Sequence, residues 1–249
     1  MTVVKELADF LDIARKRGWL DAVNPWRKRH SILLLGTTGV GKTNFVRSIL
    51  DPNAGPVPLE ARTQFPVKDR ANIADSLFEI IDTPGQWRHS GRQIIELHEA
   101  IKRGVVAVIN VVSFGYHEYP TGKPGVTDGT GRVSEEYLEH HRGVELVALE
   151  SCKSVLRGRL PVFVTLVTKA DLWWGSRDDV MHHYGSGDYG AMIEGLADSH
   201  VVKPYCSVIH KFYGEGDVSG KFDAEDQVQC RRELLRTLTE MIGRRYRDD

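Results

Sequence analysis

The run Gly36-Thr37-Thr38-Gly39-Val40-Gly41-Lys42-Thr43 constrains the fold of this chain more than any other feature. It follows Ser31–Leu35, a short continuous apolar run that predicts a strand buried on both faces. It leads into Lys42–Leu50, which is predicted to be a helix. A glycine-rich turn between a buried strand and a helix lets several backbone N–H groups point at one anion, beside the positive end of the helix dipole. The unit therefore predicts an α/β domain with an anion site where the strand ends.

Strand-like and helix-like segments alternate along the rest of the chain. Further strands are predicted at 77–81, 105–112 and 161–167 and within 201–209, and helices at 91–103, 134–157, 177–199 (broken) and 224–246. This alternation predicts a three-layer α/β fold with a mainly parallel central sheet. Residues 3–17 have the periodicity of an amphipathic helix. The expected organisation is an N-terminal helix and linker over 1–30 and one domain over 31–249, with an inserted loop at about 113–133.

Composition disfavours several classes of protein. The 33 Lys and Arg residues almost balance the 34 Asp and Glu residues, so the basic surplus typical of nucleic-acid binders is missing. The three cysteines, Cys152, Cys206 and Cys230, are far apart and odd in number, which suits a reducing compartment better than a disulfide framework or a zinc cluster. No apolar run approaches the length of a membrane helix. We expect a cytoplasmic protein with no transmembrane segment and no nucleic-acid partner.

The glycine-rich run matches the phosphate-binding pattern G-x-x-x-x-G-K-S/T. In that pattern Lys42 places a positive charge between the β- and γ-phosphates, and the Thr43 hydroxyl is a ligand for Mg²⁺. The alternative is an ordinary glycine-rich turn, but eight positions and both flanks agree with the pattern. The predicted nucleotide-binding residues here are Thr38, Gly39, Val40, Gly41, Lys42, Thr43 and Asn44. This motif alone leaves ATPases, GTPases and nucleotide kinases open.

The predicted strand at 77–81 ends in Asp82-Thr83-Pro84-Gly85-Gln86. An acidic residue at the end of a buried strand beside the phosphate loop can hold Mg²⁺, usually through water. Gly85 lets a backbone N–H approach the γ-phosphate closely. The alternative is a plain Pro-Gly turn at the end of a strand.

A second polar motif, Thr168-Lys169-Ala170-Asp171, follows the apolar run Val162–Val167. The Asp171 carboxylate can accept hydrogen bonds from the N1–H and the C2 amino group of guanine, and the Lys169 stem can lie along the purine face. Adenine lacks both donors and would leave the carboxylate unpaired, so it would be rejected. The alternative is a charged turn after a strand.

The ordered set GTTGVGKT, DTPGQ and TKAD resembles the G1, G3 and G4 boxes of the translation-factor (TRAFAC) class of P-loop GTPases, which includes Ras-like, Era-like, septin and Toc-type proteins. The resemblance implies a Ras-like, six-stranded sheet, GTP and GDP as ligands, and Mg²⁺. It implies that Thr63 closes over Mg²⁺ and the γ-phosphate, and that Gln86 orients the attacking water. It also implies that the backbone of Ser207 and Val208 meets the guanine O6. The sequence departs from the pattern at Thr168, where Asn is usual, and at Thr38, where a Ras-like glycine leaves room for an arginine finger.

These motifs favour a guanine-nucleotide switch that hydrolyses GTP, with Lys42, Gln86 and Thr63 as the catalytic residues. One alternative is a GTP-binding scaffold with little hydrolysis. An ATP-dependent P-loop enzyme is disfavoured, since it has no reason to carry DTPG and TKAD together. The segment 113–133 offers aromatic Tyr116, His117 and Tyr119, and we expect it to contact a protein partner or a second copy across the nucleotide face. An insertion without a role is the alternative there.

Overall fold

A computed structural model describes residues 30–51, 53, 67–73, 76–82, 95, 98–99, 105–117, 134–155, 158–209 and 222–245. Six strands form one sheet in the order β2-β3-β1-β4-β5-β6. They are β1 (His30–Leu35), β2 (Val67–Ile73), β3 (Ser76–Asp82), β4 (Val105–Val112), β5 (Phe163–Val167) and β6 (His200–Pro204). Strand β2 runs antiparallel to β3, and every other neighbouring pair is parallel. The predicted α/β fold with a mainly parallel sheet is confirmed.

The helices predicted at 42–50, 134–157, 177–199 and 224–246 are confirmed, and a short helix at Ala170–Trp173 was not predicted. The described helices are α1 (Lys42–Leu50), α2 (Glu135–Val155), α3 (Ala170–Trp173), α4 (Arg177–Gly185), α5 (Gly187–Glu194) and α6 (Ala224–Arg245), with a 3₁₀ turn at Trp174–Ser176. The predicted break within 177–199 lies at Ser186, which is extended, and Gly187, whose φ of 61° is in the left-handed region. The predicted N-terminal helix lies outside the described residues, and the predicted helix at 91–103 lies mostly outside them.

The sheet has a hydrophobic core on each face. In β1, Leu33 and Leu35 belong to one core, while Ile32 and Leu34 belong to the other. Helices α2, α4 and α5 contribute to the first core, and α1 and α6 to the second. Strands buried on both faces need continuous apolar runs, which explains why the sequence made β1 and β4 easy to predict.

One strand of the sheet was missed. No strand was predicted at Val67–Ile73, whose polar residues give no clear alternation. This segment is the edge strand β2, and charged side chains are a common protection of edge strands. The strand predicted within 201–209 is confirmed as β6, which ends at Pro204. The next residue, Tyr205, accepts a hydrogen bond from the Ala170 N–H of α3 at 3.1 Å.

Candidate functional site

The phosphate loop, Gly36–Thr43, connects β1 to α1. Its glycines have positive φ angles, 135° at Gly36 and 94° at Gly41, which side-chain-bearing residues rarely adopt. A Cβ atom added at Gly36 would lie 2.3 Å from the Val111 carbonyl oxygen in the neighbouring strand β4. The turn is therefore fixed both by backbone dihedral angles and by close approach to the sheet.

The side chain of Lys42 lies across this loop. Its buried amine donates hydrogen bonds to the carbonyl oxygens of Gly36 at 2.8 Å and Thr37 at 3.0 Å. The N–H of Phe45 donates to the Gly41 carbonyl, so the helix begins directly at the loop. A positive charge and the amino end of a helix thus lie together, and both favour a bound anion.

The predicted base-reading motif is fastened to the phosphate loop by two side chains. The Thr168 hydroxyl lies 2.5 Å from the Val40 carbonyl oxygen and 3.0 Å from that of Val112. The Lys169 amine donates to the carbonyls of Gly39 at 2.9 Å and Tyr116 at 2.5 Å. The threonine thus keeps a hydroxyl bond to the phosphate loop, and the two motifs form one continuous site.

A third segment, the base loop (Tyr205–Ile209), completes this site. The Cys206 thiol donates to the Asp171 carboxylate, with 3.2 Å between sulfur and oxygen. Burial, followed by the nearby carboxylate, raises the pKa of this thiol, which keeps it protonated and able to donate. The structure therefore places Asp171 against the loop that holds Ser207 and Val208.

Comparison with known families identifies the phosphate side of this site. Residues 31–148 match the family described as 50S ribosome-binding GTPase. The matched segment is somewhat less than half of the chain. The match is to a P-loop GTPase domain of the TRAFAC type. The match ends before Thr168, so the base-reading motif and the base loop lie beyond it. A search of curated proteins finds no matching sequence.

Two tryptophans follow the predicted base-reading motif, and they have different surroundings. Trp173 is buried, and its indole N–H donates to the Thr168 carbonyl at 2.7 Å, so it braces the motif from inside and offers no partner surface. Trp174 is partly buried and packs edge-on against Phe222, with the ring centroids 4.9 Å apart. The Arg177 guanidinium lies 4.6 Å from the Trp174 ring centroid. Sequence motifs carried no signal for either role.

The start of the predicted inserted loop also lies at the phosphate loop. His117 Nε2 is 3.1 Å from the Thr37 hydroxyl, and its ring stacks on His141 of α2 at 3.8 Å between centroids. The expectation that Tyr116 and His117 offer contact area to a partner is wrong, because they are 3% and 1% exposed. Residues 118–133, including Tyr119, lie outside the described residues.

The His117 ring is held in its neutral form. Burial lowers its pKa well below the ordinary value, and the charges of His141, Lys169 and Lys42 lower it further. A neutral ring beside the phosphate loop can hold the Thr37 hydroxyl without changing charge near neutral pH.

Two of the three predicted Mg²⁺ ligands, Asp82 and Thr43, lie in described elements, so their backbone positions can be compared. Asp82 ends β3 opposite Leu34 of β1, two residues before the phosphate loop, and Thr43 lies in the first turn of α1. A carboxylate and a hydroxyl are hard oxygen donors of the kind Mg²⁺ prefers, so this donor set fits the ion. Thr63, Gly85 and Gln86, the other predicted residues of this side, lie outside the described residues.

Within the part of the chain that the structure describes, no helix is long and apolar enough to cross a membrane.

Proposed function

We propose that this protein binds GTP and GDP with Mg²⁺ and switches conformation as it hydrolyses GTP. The observation that carries the proposal is the bond between Lys169 Nζ and the Gly39 carbonyl, which joins the base-reading motif to the phosphate loop. A nucleotide that spans this junction would meet phosphate-binding amides at one end and Asp171 at the other.

Guanine is the base that the chemistry of Asp171 favours. Its carboxylate would pair with the N1–H and C2 amino group, while the backbone of Ser207 or Val208 would meet O6. Adenine offers an acceptor at N1 and no C2 amine, so binding it would leave a desolvated carboxylate unpaired. Discrimination against ATP should therefore be strong.

Hydrolysis would depend on positioning and on charge neutralisation. Lys42 would lie between the β- and γ-phosphates, and the Gly85 N–H would contact the γ-phosphate. Thr43, Thr63 and Asp82 would hold Mg²⁺, directly or through water, and the ion would neutralise negative charge on the phosphates. Gln86 would orient the attacking water.

A binding experiment tests the choice of base. We expect the wild type to bind GDP and a non-hydrolysable GTP analogue in the presence of Mg²⁺, and ADP far more weakly. Asp171→Asn should weaken binding of GDP and improve binding of xanthosine diphosphate, whose C2 oxygen suits an amide donor. Asp188→Asn, on the exposed side of α5, is the matched control. Equal affinity of the wild type for ADP and GDP would overturn the proposal.

Single-turnover kinetics test hydrolysis separately. Gln86→Leu should slow the chemical step and leave nucleotide affinity nearly intact, because its side chain would act on water. Gln229→Leu, at an exposed position of α6, is the control. Tight GTP binding without hydrolysis by the wild type would instead favour the scaffold alternative.

We further propose a cytoplasmic location and a protein contact, or self-association, across the nucleotide face through the segment 113–133. Three buried free thiols support the location, and the position of His117 at the phosphate loop supports the contact. Hydrogen exchange in the GDP state and with a GTP analogue tests the contact. Full exchange throughout 118–133 in both states, with and without a partner, would contradict it.

A further inference from the structure

The first turn of the C-terminal helix α6 contacts the base loop through one side chain. The Gln227 amide nitrogen donates to the carbonyl oxygens of Cys206 at 3.1 Å and Ser207 at 2.9 Å. A glutamine amide has two N–H donors, so both are used on consecutive peptide units. Gln227 belongs to none of the nucleotide-binding motifs, and it lies some twenty residues further along the chain.

These two hydrogen bonds orient the N–H groups of the same peptide units as well as the two carbonyl groups. A trans peptide unit is planar, with its C=O and N–H pointing in opposite directions. Holding the Cys206 carbonyl therefore sets the direction of the Ser207 N–H, and holding the Ser207 carbonyl sets that of the Val208 N–H. Both N–H groups are turned away from Gln227. They are the backbone donors expected to meet the guanine O6.

Helix α6 is well placed to hold this side chain still. Its amino end is capped by Asp223, whose carboxylate accepts hydrogen bonds from the N–H groups of Glu225 at 2.8 Å and Asp226 at 3.0 Å. The Arg231 guanidinium donates to the Ile49 carbonyl in α1, and Leu234 is fully buried. The helix is thus anchored on both sides of Gln227.

We propose that Gln227 is a positioning residue for base specificity, which aims the amides of the base loop at the C6 oxygen of guanine. This inference rests on the proposed function, since it requires guanine in the site. Asp171 would read the N1 and C2 edge, and the loop held by Gln227 would read the C6 acceptor.

Two base-modified nucleotides separate these contacts. In 6-thio-GDP, sulfur replaces O6 and is a weak acceptor, while the N1–H and C2 amine remain. IDP keeps O6 and lacks the C2 amine. We expect the wild type to prefer GDP over both. Gln227→Glu, which has the same shape without the donors, should weaken GDP binding about tenfold, the effect of one to two hydrogen bonds. Its preference for GDP over 6-thio-GDP should largely disappear, and its preference for GDP over IDP should remain.

Gln229→Glu is a closely matched control, because it makes the same chemical change on the same helix at an exposed site. Gln229 donates a hydrogen bond to Glu233 at 2.8 Å and accepts one from Arg232 at 3.3 Å, both within α6. Its substitution should change every affinity by less than about twofold. Gln227→Ala removes the donors without adding charge, and it replaces Gln227→Glu if that variant does not fold. The inference would be overturned if a folded Gln227 variant kept the wild-type preference for GDP over 6-thio-GDP. A wild type that fails to distinguish GDP from both ADP and IDP would overturn the proposed function instead.

Discussion

The phosphate loop and the base loop lie at the same site, but they are held in different ways. In the phosphate loop, the glycine dihedral angles set the turn, and Lys42 bonds to carbonyls five and six residues before it. The base loop depends on side chains from remote elements. Gln227 of α6 holds two of its carbonyls, and the Tyr205 hydroxyl lies 2.8 Å from the Ser48 hydroxyl of α1.

The difference indicates how separable the two parts of the site are. The phosphate loop also receives bonds from Thr168, Lys169 and His117, but its turn is set mainly by its own glycine dihedral angles. A loop shaped by distant helices keeps its geometry only when those helices are docked. We therefore expect changes at the phosphate loop to weaken all nucleotides alike, and changes around the base loop to alter the choice of base.

The largest expected effect is that of Lys42→Ala. Loss of a charge-assisted contact to the phosphates should weaken GDP and GTP binding by about 100-fold. Titration with a fluorescent GDP analogue measures this, with Lys153→Ala at an exposed position of α2 as the control. If the affinity of Lys42→Ala stays near that of the wild type, the loop is not a phosphate site.

Thr168→Val tests the junction between the two loops. Valine keeps the shape and removes the hydroxyl that contacts the Val40 and Val112 carbonyls. We expect affinity for GDP to fall about tenfold, because the Val40 carbonyl of the phosphate loop loses the hydroxyl, whereas the Val112 carbonyl still accepts from the Thr168 backbone N–H. Thr239→Val is the control, since that hydroxyl also bonds to a carbonyl, that of Leu235, but within α6. Equal losses in both variants would show that the effect is general destabilisation.

His117→Phe should have a smaller effect. Phenylalanine keeps a ring to stack on His141 and removes the nitrogen near the Thr37 hydroxyl. Loss of one neutral hydrogen bond should weaken GDP binding about fivefold, with the preference for GDP over IDP unchanged. His140→Phe, one residue before His141 and exposed, is the control. A changed base preference would contradict the separation of the two loops.

Glu145→Gln should leave GDP affinity unchanged and alter only the pH dependence of stability. Burial raises the pKa of Glu145 to about 8. The hydrogen bond that the Tyr184 hydroxyl donates to the carboxylate and the charge of Arg142 both lower this pKa, but by less than burial raises it. Because the folded-state pKa is above the ordinary value, stability from this group is present at low pH and is lost as pH rises through 8. Between pH 6.5 and 8, the free energy of unfolding should fall by up to about 1.4 kcal/mol per pH unit.

Urea denaturation at several pH values measures this slope. Glu145→Gln should flatten it, whereas Glu150→Gln at an exposed position of the same helix should not. The range starts at pH 6.5 because burial lowers the pKa of His141 and of His183 to about 4. For these histidines stability is lost as pH falls below 6.5, so they contribute the opposite slope there. An equal slope in wild type and Glu145→Gln would contradict the assignment.

Much of the fold could be predicted because the relevant signals are local. The bounds of β4 and α1 agree with the predicted 105–112 and Lys42–Leu50, since a doubly buried strand and a helix following a phosphate loop each have a distinct pattern. Strand β2 could not be predicted, because its place is set by pairing with β3 at the sheet edge. Trp173 and Gln227 were missed, and His117 was given a different role, for a related reason. Their contacts carry no periodicity and no motif.

The sequence by itself determined the order of the strands and helices around the site, the glycine-dependent shape of the phosphate loop, and the residues available to bind phosphate and base. Each of these follows from neighbouring residues along the chain. Only the tertiary structure decided that Thr168 and Lys169 bond to the phosphate loop, that His117 is buried against Thr37, and that α6 holds the base loop. Those contacts join residues that are distant in sequence, so they depend on how the strands, loops and helices are brought together.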